Sequence, residues 1–259
     1  MRLVFLGTGT SYGVPQIGCD CRTCTSQDPR DRRTRTAALI EAGGRRLLID
    51  TPPELRLQLV DAGVTSVDAV LFTHAHADHV HGIDDLRAVS TRRRGSLDVY
   101  GSAGTLAELR RRFDYIFDGT PALPGTSKPE LVAHPLEPDR ETEIAGMPVR
   151  ALALPHGGGT VLGFRIGPLA YLTDVKTIPE PALARLGGLG VLVINALLPR
   201  PHPLHLSIPE AVAAAQRIGA RQSFLTHLTH DTPHAELAAR LPAGIAPAYD
   251  GLVIEVGAV

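Results

Sequence analysis

The stretch F-T-H-A-H-A-D-H-V-H-G, Phe72 to Gly82, packs four histidines and one aspartate into eleven residues. A histidine-rich solvated turn is the plain explanation; a metal site is the sharper one. In an extended segment the side chains of residues i and i+2 point the same way, so His74 and His76 can converge on one cation. Asp78 and His79 come next, at the turn into a helix, where they can face a second cation close by. The small Ala75 and Ala77 leave room for the loop to fold. One segment cannot close two metal shells, so further ligands must come from elsewhere in the chain. His156 after A-L-A-L-P, Asp174 after A-Y-L-T and His227 after S-F-L-T each stand at the end of an apolar run, where one edge of a sheet would gather them. Singly, each is as readily a structural histidine or a helix cap; their shared position makes the set.

A second cluster lies upstream. Cys19, Cys21 and Cys24 are the only cysteines, all within G-C-D-C-R-T-C. An odd number so closely spaced cannot be a disulfide framework, and in a reducing compartment the thiols are free to bind metal. Tetrahedral zinc wants four ligands, and the best fourth is His230, three residues after His227 in L-T-H-L-T-H. Such a zinc would be closed and structural, tying the N-terminal loop to the strand end that supplies His227. Buried thiols without metal are the alternative. P-H-P-L-H-L-S at 201–207 adds His202, read as a surface residue, and His205. His81, His134 and His234 are read as solvated or capping histidines.

The elements that must position these groups follow from apolar patterning. Strands are expected at Leu3–Leu6, Ala37–Glu41, Leu47–Ile49, Val67–Phe72, Leu97–Tyr100, Val149–Leu154, Val161–Ile166, Ala170–Leu172, Val191–Ile194, Ser223–Leu225 and Leu252–Val256. Helices are expected over Pro53–Ala62, Ala103–Arg112, Pro181–Leu186, Ile208–Ile218 and His234–Leu241, the fourth capped by Ser207. Strands and helices interleave, yet hairpin-like strand pairs interrupt the alternation, which favours a layered α/β protein with mixed sheets. Asp118–Pro129, rich in Pro, Gly, Ser and Thr, reads as a surface loop and not a linker, so residues 1–259 are expected to form one domain. Lys plus Arg total 26 against 27 for Asp plus Glu, which gives no reason to expect a nucleic-acid or membrane partner. The arginines at 92–94 and 110–112 read as solvated helix faces. No apolar run approaches the ~20 residues of a spanning helix, and the opening run is too short for a signal segment, so a cytoplasmic protein is expected.

The chain resembles the metallo-β-lactamase superfamily, which carries His-x-His-x-Asp-His after a strand, and the ligand order matches from about Met1 to Val256. The resemblance implies a four-layered αβ/βα sandwich with the site along one edge of its two sheets. It implies that His74, His76 and His156 hold one metal, that Asp78, His79 and His227 hold the other, and that Asp174 bridges them. Asp50, ending R-L-L-I-D, matches an aspartate that supports the site from behind the ligands. His79 directly after Asp78 permits the full dinuclear set and argues against β-lactam hydrolysis. Together with G-C-x-C-x-x-C and His230, the chain is similar to one subfamily, the phosphoribosyl 1,2-cyclic phosphate phosphodiesterases associated with phosphonate breakdown. By that resemblance Cys19, Cys21, Cys24 and His230 hold a structural zinc, and His205 stands where the subfamily places a catalytic histidine. Y-D-G at 249–251 also fits, whereas the three glycines Gly157–Gly159 after His156 depart from it and suggest a mobile or closely approached loop.

The expected chemistry is phosphodiester hydrolysis. Two divalent cations, Mn2+ or Zn2+, about 3.5–4 Å apart can share a hydroxide and generate it at neutral pH. The hydroxide would attack phosphorus in line, and His205 would protonate the departing alkoxide; Asp78 and His205 are the candidate catalytic residues. The expected substrate is a small cyclic or linear phosphodiester, 5-phosphoribosyl 1,2-cyclic phosphate or a 2′,3′-cyclic nucleotide among them, without a membrane partner or any nucleic acid larger than a nucleotide. Related enzymes suggest a homodimer. The alternatives are ribonuclease Z-like RNA processing, thioester or ester hydrolysis of the glyoxalase II or lactonase type, and a zinc-stabilised binding module without catalysis.

Overall fold

The run V-L-V-I-N at 191–195 has no polar face because both of its faces are covered. In the computed structural model, which describes residues 1–257, Val191 and Val193 join a core that lies between two β-sheets. Leu192 and Ile194 join another core, between the second sheet and its helices. Strands buried on both sides read as continuous apolar sequence. Residues 258 and 259 of the expected domain lie outside the described residues.

The chain builds its sheets in turn. β1 (Arg2–Gly7), β2 (Ala37–Ala42), β3 (Arg45–Ile49), β4 (Ala69–Leu71), β5 (Leu97–Gly101) and β6 (Leu131–Pro135) form the first. β7 (Glu141–Ile144), β8 (Met147–His156), β9 (Gly159–Ile166), β10 (Leu169–Leu172), β11 (Val191–Asn195), β12 (Gln222–Thr226) and β13 (Ile245–Pro247) form the second, before β14 (Val253–Glu255) returns to the first beside β1. Each sheet has seven strands and is half antiparallel and half parallel: β3 to β6 run parallel, as do β10 to β13. Parallel neighbours need crossovers, which supply outer helices. On the first sheet these are α1 (Leu55–Asp61), α2 (Ala77–Val80), α3 (Leu86–Arg93), α4 (Ala103–Arg112) and α5 (Asp114–Phe117); on the second, α6 (Glu180–Leu183), α7 (Ile208–Ile218) and α8 (His234–Arg240). Helices, sheet, sheet and helices enclose three apolar layers, giving the αβ/βα sandwich.

The parallel strands position the site. In open parallel sheets, ligands bind beyond the carboxyl ends of the strands. Here β3 ends at Asp50, β4 leads into His74, β10 into Asp174 and β12 into His227. The sequence expectations miss α3, β6, β7 and β13, and give too long a strand at 67–72, where β4 proper covers Ala69–Leu71. Asp118–Pro129 contains no helix or strand, as its composition indicates. Among the described residues, no helix is long and apolar enough to cross a membrane.

Candidate metal centre

Three turns deliver the site, and each is strained. Asp50, Asp174 and His227 have φ of 62°, 59° and 58°, in the left-handed region that non-glycine residues rarely adopt. Such backbone persists only where surrounding contacts over-determine it, and it concentrates at functional sites. Asp50 illustrates those contacts: its carboxylate accepts from the Thr73 amide and hydroxyl, both at 2.8 Å, and from His79 Nδ1 at 2.7 Å. The Thr73 hydroxyl has given its hydrogen to Asp50, so at 3.0 Å it accepts from His74 Nδ1. One buried carboxylate thereby fixes two imidazoles with Nε2 facing inward.

The inward atoms gather into overlapping groups. Ligand atoms of His74, His76 and His156 lie within 4.8 Å of one another, as do those of Asp78, His79 and His227. His74, His79 and Asp174 form a third such group, so Asp174 stands between the two. His79 Nε2 is 3.2 Å from Asp174 Oδ2, and His227 Nε2 is 3.4 Å from Asp174 Oδ1. His79 Nε2 and His156 Nδ1 are buried without a hydrogen-bond partner. Buried nitrogen without a partner is costly, and lone pairs converging beside two carboxylates are what a pair of divalent cations requires. The donor set fits.

The electrostatics show the same demand. Burial works against the charge of Asp174, yet His227 and His79 beside it outweigh burial and hold the carboxyl well below the usual range. Burial, followed by the charge of His79, pushes His74 well below the ordinary histidine value, which favours the neutral imidazole that ligates metal. His79 is raised instead: burial opposes its charge, but Asp174 and Asp50 prevail.

His205 closes the open side. Its Nδ1 is 3.6 Å from Asp174 Oδ1, with its side chain 12% exposed. Its ring stacks on His227 at 5.1 Å and meets His156 edge-on at 5.0 Å. The His202 ring lies 5.2 Å from that of His205, which puts His202 at the rim of the site and not on remote surface.

Cys19, Cys21 and Cys24 place their sulfurs 3.2, 3.4 and 3.4 Å from His230 Nδ1. All three are free thiols around one nitrogen, a donor set that fits tetrahedral zinc. The Cys24 amide, donating to sulfur, heads the influences that bring Cys21 down to about 6, while burial pushes Cys24 up to about 11.

Sequence reasoning missed the groups behind the ligands. Thr36 Oγ1 donates to the Gly9 carbonyl at 2.7 Å, which leaves it to accept from His227 Nδ1 at 3.2 Å. Asn195 Oδ1 accepts from the Val175 amide at 2.8 Å and so steadies the turn that carries Asp174. Arg33, 1% exposed, donates to the carbonyls of Thr229 and, at 3.0 Å, Thr232, and pairs with Asp31 at 3.3 Å. It fastens the same two segments that the cysteine cluster joins. His234, expected to be solvated or capping, is instead buried edge-on against Tyr249, with its amide bound by Asp31 at 2.6 Å. His81 packs edge-on against Phe113, and His134 pairs with Asp98.

Comparison with known proteins agrees with this geometry. Residues 45–228 match the β-lactamase superfamily domain, and the chain belongs to the metallo-β-lactamase superfamily. A solved structure described as a new diphosphatase from the PhnP family superposes with a TM-score of 0.90 at 37% identity, covering 98% of this chain and 97% of that one. An octanoyltransferase of Porphyromonas gingivalis is 43% identical over 97% of this chain, and a ribonuclease Z of a Bradyrhizobium species is 30% identical over 63% of it. The chain spans only 51% and 48% of these two relatives, about half their length.

Proposed function

We propose that the protein is a dinuclear-metal phosphodiesterase acting on small cyclic or linear phosphodiesters, with 5-phosphoribosyl 1,2-cyclic phosphate as the leading substrate. The observation that carries this reading is His205 set against the shared aspartate: its imidazole lies within 4.8 Å of the ligand atoms of both His156 and Asp174, with which it makes a further group that could hold metal, yet it belongs to neither His74–His76–His156 nor Asp78–His79–His227. If those two triads and Asp174 take the cations, His205 is the imidazole left over for the substrate.

When bound, the two cations supply the nucleophile at neutral pH and neutralise charge on the phosphate. His74, His76 and His156 would hold one, Asp78, His79 and His227 the other, with Asp174 common to both. The chain's own residues then divide the remaining work. Asp50 and Thr73 keep His74 and His79 in a single orientation, and Thr36 does so for His227. His205 gives its proton to the departing alkoxide. Burial and the neighbouring His227 bring His205 down to about 3, with Asp174 pulling the other way. It would therefore take up its proton from solvent when the anionic phosphate binds beside it, since that negative charge favours imidazolium.

The octanoyltransferase name belongs to a protein about twice as long, of which this chain covers 51%. The ribonuclease Z relative supports a second reading, RNA cleavage by the same chemistry; a net charge of −1 offers little grip on a polyanion. The test is a turnover screen over 5-phosphoribosyl 1,2-cyclic phosphate, 2′,3′-cyclic nucleotides, linear phosphodiesters, precursor tRNA and a thioester, with metal content measured on the same preparation. Turnover confined to phosphodiesters, with two catalytic metals and one zinc per chain, supports the proposal. Thioester turnover alone, or a single metal per chain, overturns it.

A further inference from the structure

The cavity bordering the metal centre, about 540 Å³, runs from His74, His76 and His156 to Ser102 and Arg112. Ser102 is also a wall of an adjoining cavity of about 730 Å³, bounded by Tyr100, His134, Leu136 and Arg140. The two lie side by side across that residue, and the second has none of the metal-site histidines in its lining.

The second cavity is built around a pair of rings. Tyr100 and His134 are directly opposed on β5 and β6. Their rings stack at 4.9 Å and 24°. Asp98, a carboxylate able only to accept, takes the His134 Nε2 hydrogen at 2.8 Å and fixes that ring's rotation. Even so, the His134 side chain stays 42% exposed. An oriented aromatic face that remains open is a surface for stacking another planar ring.

We propose that this cavity is a second binding site, in which the Tyr100–His134 stack receives a nucleobase-type ring on the non-reacting arm of the substrate. The proposal rests on the phosphodiesterase reading and, among its cyclic and linear diesters, favours base-bearing ones over 5-phosphoribosyl 1,2-cyclic phosphate: the phosphate would sit beside the metal-site histidines, and the arm would pass Ser102 to place its ring against His134. Arg140 lines the same cavity, paired with Glu137 at 3.3 Å and 71% exposed, and could turn to a polar edge of that ring.

Two esters releasing the same p-nitrophenolate decide the matter: p-nitrophenyl thymidine 5′-phosphate, with a base, and methyl p-nitrophenyl phosphate, without one. Their shared leaving group cancels in the ratio of kcat/KM. The ratio is expected to favour the thymidine ester about tenfold, mainly through KM, as one stacking contact does. His134→Ala should bring it close to one, and His134→Phe, which restores a ring, should keep most of it. A ratio near one in the native protein, or one unmoved by His134→Ala, overturns the site. Cleavage of neither ester counts against the phosphodiesterase reading instead. The cavity is then tested by saturation-transfer NMR with thymidine 5′-phosphate and 2-deoxyribose 5-phosphate. Stronger binding of the base-bearing compound that His134→Ala abolishes supports the site, and equal binding of both overturns it.

Discussion

Replacing His205 by asparagine separates proton donation from metal binding. His205 belongs to neither triad assigned to the two cations, although it lies within 4.8 Å of the ligand atoms of His156 and Asp174, so the variant should retain its metals, and metal content is measured beside activity. It should lose about 10²–10⁴-fold in turnover of an alkyl phosphodiester, the usual worth of a general acid. An aryl ester, whose leaving group needs no proton, should lose much less; equal losses on both would remove His205 from that role. Thr36 offers a complementary test. Thr36→Val keeps the shape but removes the oxygen that accepts from His227 Nδ1. Metal affinity, measured by competition with a chelator, should fall about 10–100-fold, and Thr36→Ser should restore it. The contrast between these two residues also shows what a sequence reveals at this scale. His205 is visible because it stands, in P-H-P-L-H-L-S, where the resembled subfamily places a catalytic histidine. Thr36 and Thr73 are threonines beside strands, among the commonest of local patterns. Only distance distinguishes the one that holds a ligand from the many that do not.

At the scale of elements, the turn carrying Asp78 and His79 depends on Gly82. A Cβ there would overlap the Pro52 carbonyl and crowd Leu55 at the start of α1. The Gly82 amide also donates to the Thr51 carbonyl at 2.8 Å, just past Asp50. Gly82→Ala should destabilise the fold by about 1–3 kcal/mol in a denaturant titration, the range for overpacking. Catalytic metal occupancy should drop with it, since α2 and the Asp50 turn share that contact. The glycine is conspicuous at the end of the histidine run, but its reason is not: the clash involves a segment thirty residues earlier. The elements that sequence patterning missed have a common cause. β6 and β7 are the outermost strands of their sheets and read L-V-A-H-P and E-T-E-I, with too little apolar alternation to stand out. α3 is basic along its last turn and buries only Leu86, Val89 and Ser90. Central strands, apolar on both faces, declare themselves; edges, half in water, do not.

Across the whole molecule, stability should carry the mark of Asp250. Its carboxyl accepts from the Thr8 hydroxyl at 2.7 Å and from the Thr34 amide and hydroxyl at 2.7 and 2.6 Å, joining three remote segments. Burial nevertheless outweighs those bonds and raises it to about 6. A folded-state value above the unfolded one means the native protein holds this proton more tightly. The stability it contributes is therefore complete below about pH 4 and lost as pH rises through about 6, a difference of about 3 kcal/mol. Other carboxylates move the opposite way, so the comparison needed is between native protein and Asp250→Asn. The difference in unfolding free energy between them should change across pH 4–7; a constant difference would show that Asp250 keeps an ordinary value. Which strands are neighbours was the least legible feature at this scale. Nothing local announces that Arg2 pairs with Glu255, because that register depends on the layers closing around a core.

The cysteine loop has a consequence of timing. Cys24 lies 206 residues ahead of His230 in the chain. During synthesis the three thiols leave the ribosome long before their fourth partner exists, and the tether between the two segments can close only once His230 has emerged. The cluster of Cys19, Cys21, Cys24 and His230 is thus a late-closing clasp between segments made far apart in time. A nascent or truncated chain that stops short of His230 keeps three thiols without the imidazole they surround here.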